Sequence, residues 1–267
     1  MGRLLVLKLG GSLITNKKEP YTVRTDTIKA ASREIKEIIE SKLIDDLVII
    51  HGVGSYGHPP VIENKLHKGF IDPKQLVPLS WTQGKVNELR MLLASNLTEV
   101  GIPINFFHTS SIATANKGKI SSMHLDAVKG YLKIGMVPML GGDVVYDTAM
   151  GFSVGSGDQV ATIIAKEIGA TDLVFATDVA GVYDKDPKSN PDAKVIRTLS
   201  LSRLKELSNA HNATDASGAM YGKLANLESV RPEMEKGLRV SIVSMMGPGQ
   251  LKEVLNGGDH KGTSILP

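Results

Sequence analysis

The stretch Arg3-Leu4-Leu5-Val6-Leu7-Lys8-Leu9-Gly10-Gly11-Ser12 decides how the chain is read. Its apolar run is too short to span a bilayer, is interrupted at Lys8, and lacks polar alternation, so it reads as a buried strand. A lysine at the end of such a strand, followed at once by two residues without side chains, makes a turn whose amides can approach phosphate oxygens closely. Lys8 and, further on, Lys17 add positive charge to that turn. The Gly-x4-Gly-Lys-[Ser/Thr] spacing of a Walker loop is absent.

Five more segments of the same kind follow: Asp46–His51, Pro103–Phe107, Met136–Leu140, Asp172–Ala176 and Arg239–Val243. Between them, Ile28–Leu43, Trp81–Val100, Met123–Ile134, Gly157–Ile168, Leu199–Asn209 and Ser217–Lys236 carry helical periodicity. Val86, Leu89, Leu93 and Leu97 draw one apolar stripe at three- and four-residue steps. Pro232 is expected to kink or shorten the last helix. Strands without alternation, separated by helices, imply a mostly parallel sheet covered on both faces. In such sheets ligands collect beyond the carboxyl ends of the strands. Gly10-Gly11, Gly52 with Gly54, and Gly141-Gly142 each follow a strand, so all three turns are expected at one sheet edge. Two lobes sharing one continuous sheet, divided near residues 141–155, complete the expectation.

Composition narrows the function. With 267 residues, 42% hydrophobic and 22% charged, the chain has the make-up of a globular domain rather than a disordered one. It has no cysteine, which excludes disulfides, thiolate metal sites and a cysteine nucleophile. A net charge of +3, from 31 basic and 28 acidic side chains, suits small anionic ligands and no nucleic-acid surface. No secretory or membrane segment is read, so the expected location is the cytoplasm.

Four further segments carry chemistry. His51-Gly-Val-Gly-Ser-Tyr-Gly-His58 is a close-approach loop ending in an imidazole suited to an anionic oxygen; His51 itself is read as a structural strand end. Gly155-Ser156-Gly157-Asp158 opens a helix, where Ser156 or Asp158 is either a plain cap or, for Asp158, a carboxylate holding lysines at fixed spacing. Thr177-Asp178-Val-Ala-Gly-Val-Tyr183 leaves a strand, either as a simple exit loop or as a wall for a nucleoside. Asp215-Ala-Ser-Gly218-Ala219-Met-Tyr-Gly-Lys223 puts small residues and an ammonium group at a helix start.

In this order the segments resemble the amino acid kinase superfamily, and within it the isopentenyl phosphate kinases, with the fosfomycin kinases as relatives. The resemblance runs over essentially the whole chain. It rests on Lys-Leu-Gly-Gly-Ser at 8–12, Gly-Asp at 142–143, Ser-Gly-Asp at 156–158, Thr-Asp-Val-x-Gly at 177–181 and Asp-x-Ser-Gly-x-Met at 215–220. Gly-Ser-Tyr-Gly-His at 54–58 carries the subfamily signal. The implied fold is a three-layer αβα sandwich with a central, mostly parallel sheet, as one domain over residues 1–267. Its acceptor lobe would span about residues 1–150 and its ATP lobe about 151–267.

The implied reaction is phosphorylation of isopentenyl phosphate by ATP, giving isopentenyl diphosphate and ADP in the archaeal-type mevalonate route of isoprenoid biosynthesis. Dimethylallyl phosphate and related alkyl phosphates are further acceptors, and a fosfomycin-type phosphonate kinase or other small-acid kinase is the alternative. The resemblance implies Lys8, Lys17, His58, Asp158 and Lys223 as catalytic residues. It implies Lys8, Gly10, Gly11, Ser12, Gly54, Asp178, Tyr183, Gly218, Ala219 and Lys223 at ATP, and Val53, Gly54, His58 and Gly157 at the acceptor. Mg²⁺ would travel with ATP, with no protein ligand assigned to it, and the assembly would be a homodimer. Candidates for an apolar slot are Trp81, Val86, Leu89, Leu93, Ile112 and Met123, with His67 near its entrance. The chain departs from the family pattern at Val53, Gln159, Ala180 and Ala219, none of which removes a charged catalytic part.

Overall fold

Alternation along the first strand builds the layers. In this computed structural model, which describes residues 2–185, 187, 189–210, 225–258 and 260–267, β1 (Leu4–Leu9) is buried throughout. Leu5, Leu7 and Leu9 join an apolar cluster with Ile35 and Ile38 of α2 (Thr25–Glu40) and Leu89 and Leu93 of α4 (Leu76–Glu99). Leu4 and Val6 join a second cluster with Val160 and Ile164 of α7 (Gly157–Glu167). Successive strand residues face opposite sides, so helices cover both faces of the sheet. Each such side chain contributes about 1.5–3 kcal/mol when fully buried. Lys8 follows Leu4 and Val6 in the alternation and therefore faces α7.

All six expected strands form. They are β1, β2 (Asp46–His51), β3 (Ile104–Phe106), β6 (Val137–Gly141), β9 (Asp172–Thr177) and β11 (Arg239–Ser244). Two short strands absent from the sequence reading, β10 (Thr198–Ser200) and β12 (Thr263–Leu266), extend one edge. The order is β10-β12-β11-β9-β1-β2-β6-β3, and only the β11–β12 pair is antiparallel. The fold is thus the expected three-layer α/β sandwich, its sheet continuous from residue 4 to residue 266.

A separate four-stranded sheet, β5-β4-β7-β8, comes from β4 (Ala113–Asn116), β5 (Lys119–Met123), β7 (Asp143–Asp147) and β8 (Gly151–Gly155). These strands of four or five residues carry no apolar run longer than Val144-Val145-Tyr146 to announce them. Asp147 anchors their turns by accepting from the backbone N–H groups of Lys117, Gly118, Ala149 and Met150.

The loop read from sequence over His51–His58 turns helical from Gly54 on, forming α3 (Gly54–Glu63) with Pro59 and Pro60 inside it. Pro59 cannot donate to the carbonyl of Ser55. The amide of Tyr21 donates to that carbonyl instead, at 3.3 Å. Pro232 acts as expected: a 3₁₀ segment ends at Val230, and a new helix, Arg231–Glu235, takes the proline in its first turn. Among the described residues no helix is long and apolar enough to cross a membrane.

Candidate active site

The three glycine turns meet, as expected, beyond the carboxyl ends of three adjacent strands, β1, β2 and β6. The first two touch backbone to backbone. A Cβ on Gly11 would lie 2.5 Å from the amide nitrogen of Gly54, and one on Gly52 would lie 2.5 Å from that of Gly11. Gly54 adopts a φ of +46°, the region that glycine enters without strain. Thr15, which sequence reasoning passed over, stitches the turns together: its Oγ1 donates to Gly11 O (2.7 Å) and accepts from Ser55 N (3.0 Å).

These turns floor a cavity of about 260 Å³. Lys8, Gly11, Ser12, Lys17, Val53, Gly54, His58, Gly157 and Asp158 all border it, so nine of the residues singled out from sequence converge on one space. Gly10 lies just behind, its amide donating to Ala176 O at 2.8 Å. Helices α3 and α7 both begin at the cavity wall, and the first N–H groups of each lack intrahelical acceptors. Lys8, Lys17 and two helix starts together favour an anion with several charges.

The alternatives at the α7 entrance are resolved. Ser156 is the cap: its Oγ accepts from Gln159 N at 3.1 Å. Asp158 is left for Lys8, whose Nζ lies 2.7 Å from Asp158 Oδ1, with both side chains at least nine-tenths buried. Gln159, one of the departures from the resembled pattern, accepts from Ile120 N at 3.3 Å and so ties α7 to β5.

Asp178 does not border the cavity. It accepts from Ser12 Oγ at 2.5 Å and sits 3.7 Å from Lys17 Nζ, which links it to the first glycine turn. Tyr183 is also outside the lining, bridging to Val195 in the loop beyond β9. Gly218, Ala219 and Lys223 lie outside the described residues.

Val53 takes an ordinary right-handed helical conformation, φ −90°, so no glycine is needed there. Its methyl groups fill space left by two other glycines: a Cβ on Gly57 would lie 2.6 Å from Val53 Cγ2, and one on Gly142 would lie 3.2 Å from Cγ1. The departure at Val53 is accommodated by packing. Nothing in the structure explains Ala180.

The apolar wall takes in one of the slot candidates. Of the slot candidates only Val86 borders the cavity; Leu89 and Leu93 belong to the core, and Trp81 stacks edge-on against Tyr21. Ile112 and Met123 pack against the α7-side core. Val86 is joined on that wall by Val61, Thr82, Val144 and Val154. Thr82 turns its hydroxyl away to donate to Pro78 O at 2.7 Å. His67 does not border the cavity; its Nδ1 lies 3.4 Å from Val61 O.

His51 is structural, as read. It is fully buried, and burial, reinforced by the neighbouring Arg90 charge, lowers its pKa to about 3. Its ring lies flat on Gly141, where a Cβ would come within 2.2 Å.

A pair of adjoining glycine turns, a buried lysine–aspartate pair and an apolar pocket on one parallel sheet can be compared with known proteins. The sequence pattern of the amino acid kinase family matches residues 3–244. The chain belongs to the amino acid kinase family. Within that family it is 33% identical to the isopentenyl phosphate kinase of Methanothermobacter thermautotrophicus, over 98% of both chains. It is 28% identical to that of Thermoplasma acidophilum over 88% of this chain and 90% of the relative. A crystal structure of isopentenyl phosphate kinase superposes with a TM-score of 0.82 at 30% identity, covering 98% of this chain and all of that one. A substrate complex of the same enzyme gives 0.80 at 25% identity over 98% and 99%.

Proposed function

We propose that this amino acid kinase transfers the γ-phosphoryl group of ATP to isopentenyl phosphate, giving isopentenyl diphosphate and ADP for isoprenoid biosynthesis. The observation that carries this reading is one cavity bordered both by Lys8, Lys17 and His58 and by the apolar side chains of Val61, Val86, Val144 and Val154. An alkyl phosphate has that same division of character. Dimethylallyl phosphate, of the same size and charge, is a second acceptor.

An acceptor phosphate oxygen attacks the γ-phosphorus as the bond to the ADP oxygen breaks. The acceptor, a phosphate monoester with a second pKa near ~6, needs no general base. What the protein supplies is in-line placement and positive charge where the transition state gathers negative charge. Lys8 and Lys17 serve the transferring group, with Lys223 beside them on the strength of the family resemblance. Asp158 fixes the position of the Lys8 ammonium. His58 donates to the acceptor phosphate, and the α3 and α7 starts hold the anions. Ser12, Gly11 and Gly54 face the donor phosphates with Gly10 behind them, Asp178 and Tyr183 lie toward its nucleoside, and the family resemblance adds Gly218 and Ala219 as ATP-binding residues.

Among the described residues no three acidic or histidine side chains gather into a metal cage, and Asp158 and Asp178 are committed to ammonium groups. Mg²⁺ would arrive with ATP and would supply charge that offsets its phosphates. The reading also assigns acceptor binding to a lobe of about residues 1–150 and ATP binding to one of about 151–267, with Val154 and the first glycine turn reaching across that division, in a cytoplasmic homodimer.

ADP release measured with isopentenyl phosphate, fosfomycin and N-acetylglutamate in parallel tests the assignment. Turnover with isopentenyl phosphate at least tenfold above the others is expected; a preference for either rival acceptor overturns it.

A further inference from the structure

Beneath the cavity floor lies a buried polar cluster that the transfer chemistry does not use. Thr82, Val86 and Arg90 recur at four-residue steps on α4 and so share one face. Thr82 and Val86 border the cavity, and one turn below them Arg90 is completely buried. Its Nε donates to His51 Nε2 at 3.2 Å and its Nη1 to His108 Nδ1 at 2.8 Å. Its Nη2 has no hydrogen-bond partner but lies 3.7 Å from Asp143 Oδ2. Asp143 is on the cavity wall, held by Ser110 N (3.3 Å), Ser110 Oγ (2.9 Å) and Val144 N (2.9 Å).

A guanidinium can only donate, so both imidazole nitrogens facing Arg90 must be acceptors. His51 then carries its proton on Nδ1, which donates to the carbonyl of Gly52 at 3.2 Å. The peptide is trans, so fixing that carbonyl also fixes the opposite direction of the Val53 N–H at the start of α3. Through His51, Arg90 sets the peptide that begins the second glycine turn. Through Asp143 it offsets a negative charge beside a pocket that, on the proposed function, receives an anion.

We propose that Arg90 is a positioning residue for the transfer: it selects the His51 tautomer, orients the Gly52–Val53 peptide, and cancels the Asp143 charge that would repel the acceptor. The inference rests on the anionic-acceptor reading only for its last part.

The test compares Arg90→Lys, Arg90→Met and Arg90→Met combined with Asp143→Asn. Side-chain ¹⁵N NMR reads the His51 tautomer, and initial rates read the KM for isopentenyl phosphate and for ATP separately. In Arg90→Met the pure Nδ1–H signature of His51 is lost. The acceptor KM rises about tenfold or more while that for ATP stays within about threefold. Adding Asp143→Asn recovers at least about threefold of the acceptor KM, because the uncompensated carboxylate is gone. Lysine keeps the charge without the fork, so Arg90→Lys loses the tautomer signature but keeps its acceptor KM closer to wild type than Met does. If Arg90→Met fails to fold, the lysine and double variants carry both readouts. An unchanged tautomer, a parallel rise of both KM values, or no recovery in the double variant overturns the proposal. Absent turnover of isopentenyl phosphate by the wild type would instead sink the functional reading, leaving the NMR measurement to decide the role of Arg90.

Discussion

The ammonium of Lys8 and the carboxylate of Asp158 meet at 2.7 Å where the end of β1 passes the first turn of α7. The pairing follows from two local rules. Strand alternation turns Lys8 toward α7, and Ser156 caps the helix so that Asp158 does not have to. A charge pair this buried contributes little net stability but is expensive to break from one side, at about 3–5 kcal/mol.

That asymmetry can be measured. Lys8→Met leaves Asp158 as an unpaired buried carboxylate, and the variant is expected to lose about 3–5 kcal/mol by urea denaturation. Combining it with Asp158→Asn should return most of that loss while activity stays abolished. If the double variant is as unstable as Lys8→Met alone, the pair is not the source of the cost.

His58 offers the opposite contrast. Its side chain is exposed at the cavity edge, so truncation removes little packing. His58→Ala is expected to stay within about 0.5 kcal/mol of wild-type stability. Its kcat should fall by roughly one to three orders of magnitude, the scale of a charge-assisted hydrogen bond lost in a closed site. A folded variant with wild-type turnover removes His58 from the mechanism.

Most of the glycine-turn half of the cavity was legible because backbone contact leaves a trace in composition. Where two turns touch through Gly11, Gly52 and Gly54, only glycine fits, and glycines after strands can be seen in a sequence. Lys8 was legible as a cation out of place in an apolar strand. The valine wall was not, since a valine facing a cavity and a valine facing the core look alike. Val61, Val144 and Val154 come from α3, β7 and β8, which the periodicity did not reveal. Helix α3 was obscured by its own prolines, one of whose lost bonds is replaced from Tyr21, a partner 34 residues earlier. Arg90 was hidden for the same reason: nothing in a helical stripe says that two histidines will meet its guanidinium.

The valine wall gives a prediction that separates acceptor from donor. Val154, partly buried on β8, borders the cavity together with Val144. Val154→Phe should fill part of the slot, raising the KM for isopentenyl phosphate about tenfold or more with the ATP KM nearly unchanged. Overpacking is expected to cost about 1–3 kcal/mol in stability. Equal changes in both KM values would move the acceptor site elsewhere.

The buried His51 makes stability fall with acid in a defined window. Burial is the larger cause and the Arg90 charge the second, and together they hold its pKa at about 3, against 6.5 for the unfolded side chain. Between those values the unfolded chain binds a proton that the folded protein refuses. Stability from this group is therefore complete above pH 6.5 and is lost as pH falls toward 3. His108, lowered chiefly by burial and then by Arg90, adds in the same direction. Glu34 opposes them: burial beneath the Gln250–Leu255 helix raises its pKa, so its protonation on acidification favours the folded state. Each pH unit of imbalance is worth about 1.4 kcal/mol, so the histidine effect should dominate between pH 6.5 and 4.5, before most carboxylates titrate. Urea midpoints at pH 7.5, 5.5 and 4.5 should drop steadily in the wild type. They should drop less in His51→Gln, whose amide oxygen can still accept from Arg90 but does not titrate. A wild-type midpoint as high at pH 4.5 as at 7.5 would mean that the imidazole protonates inside the folded protein and that Arg90 does not hold it neutral.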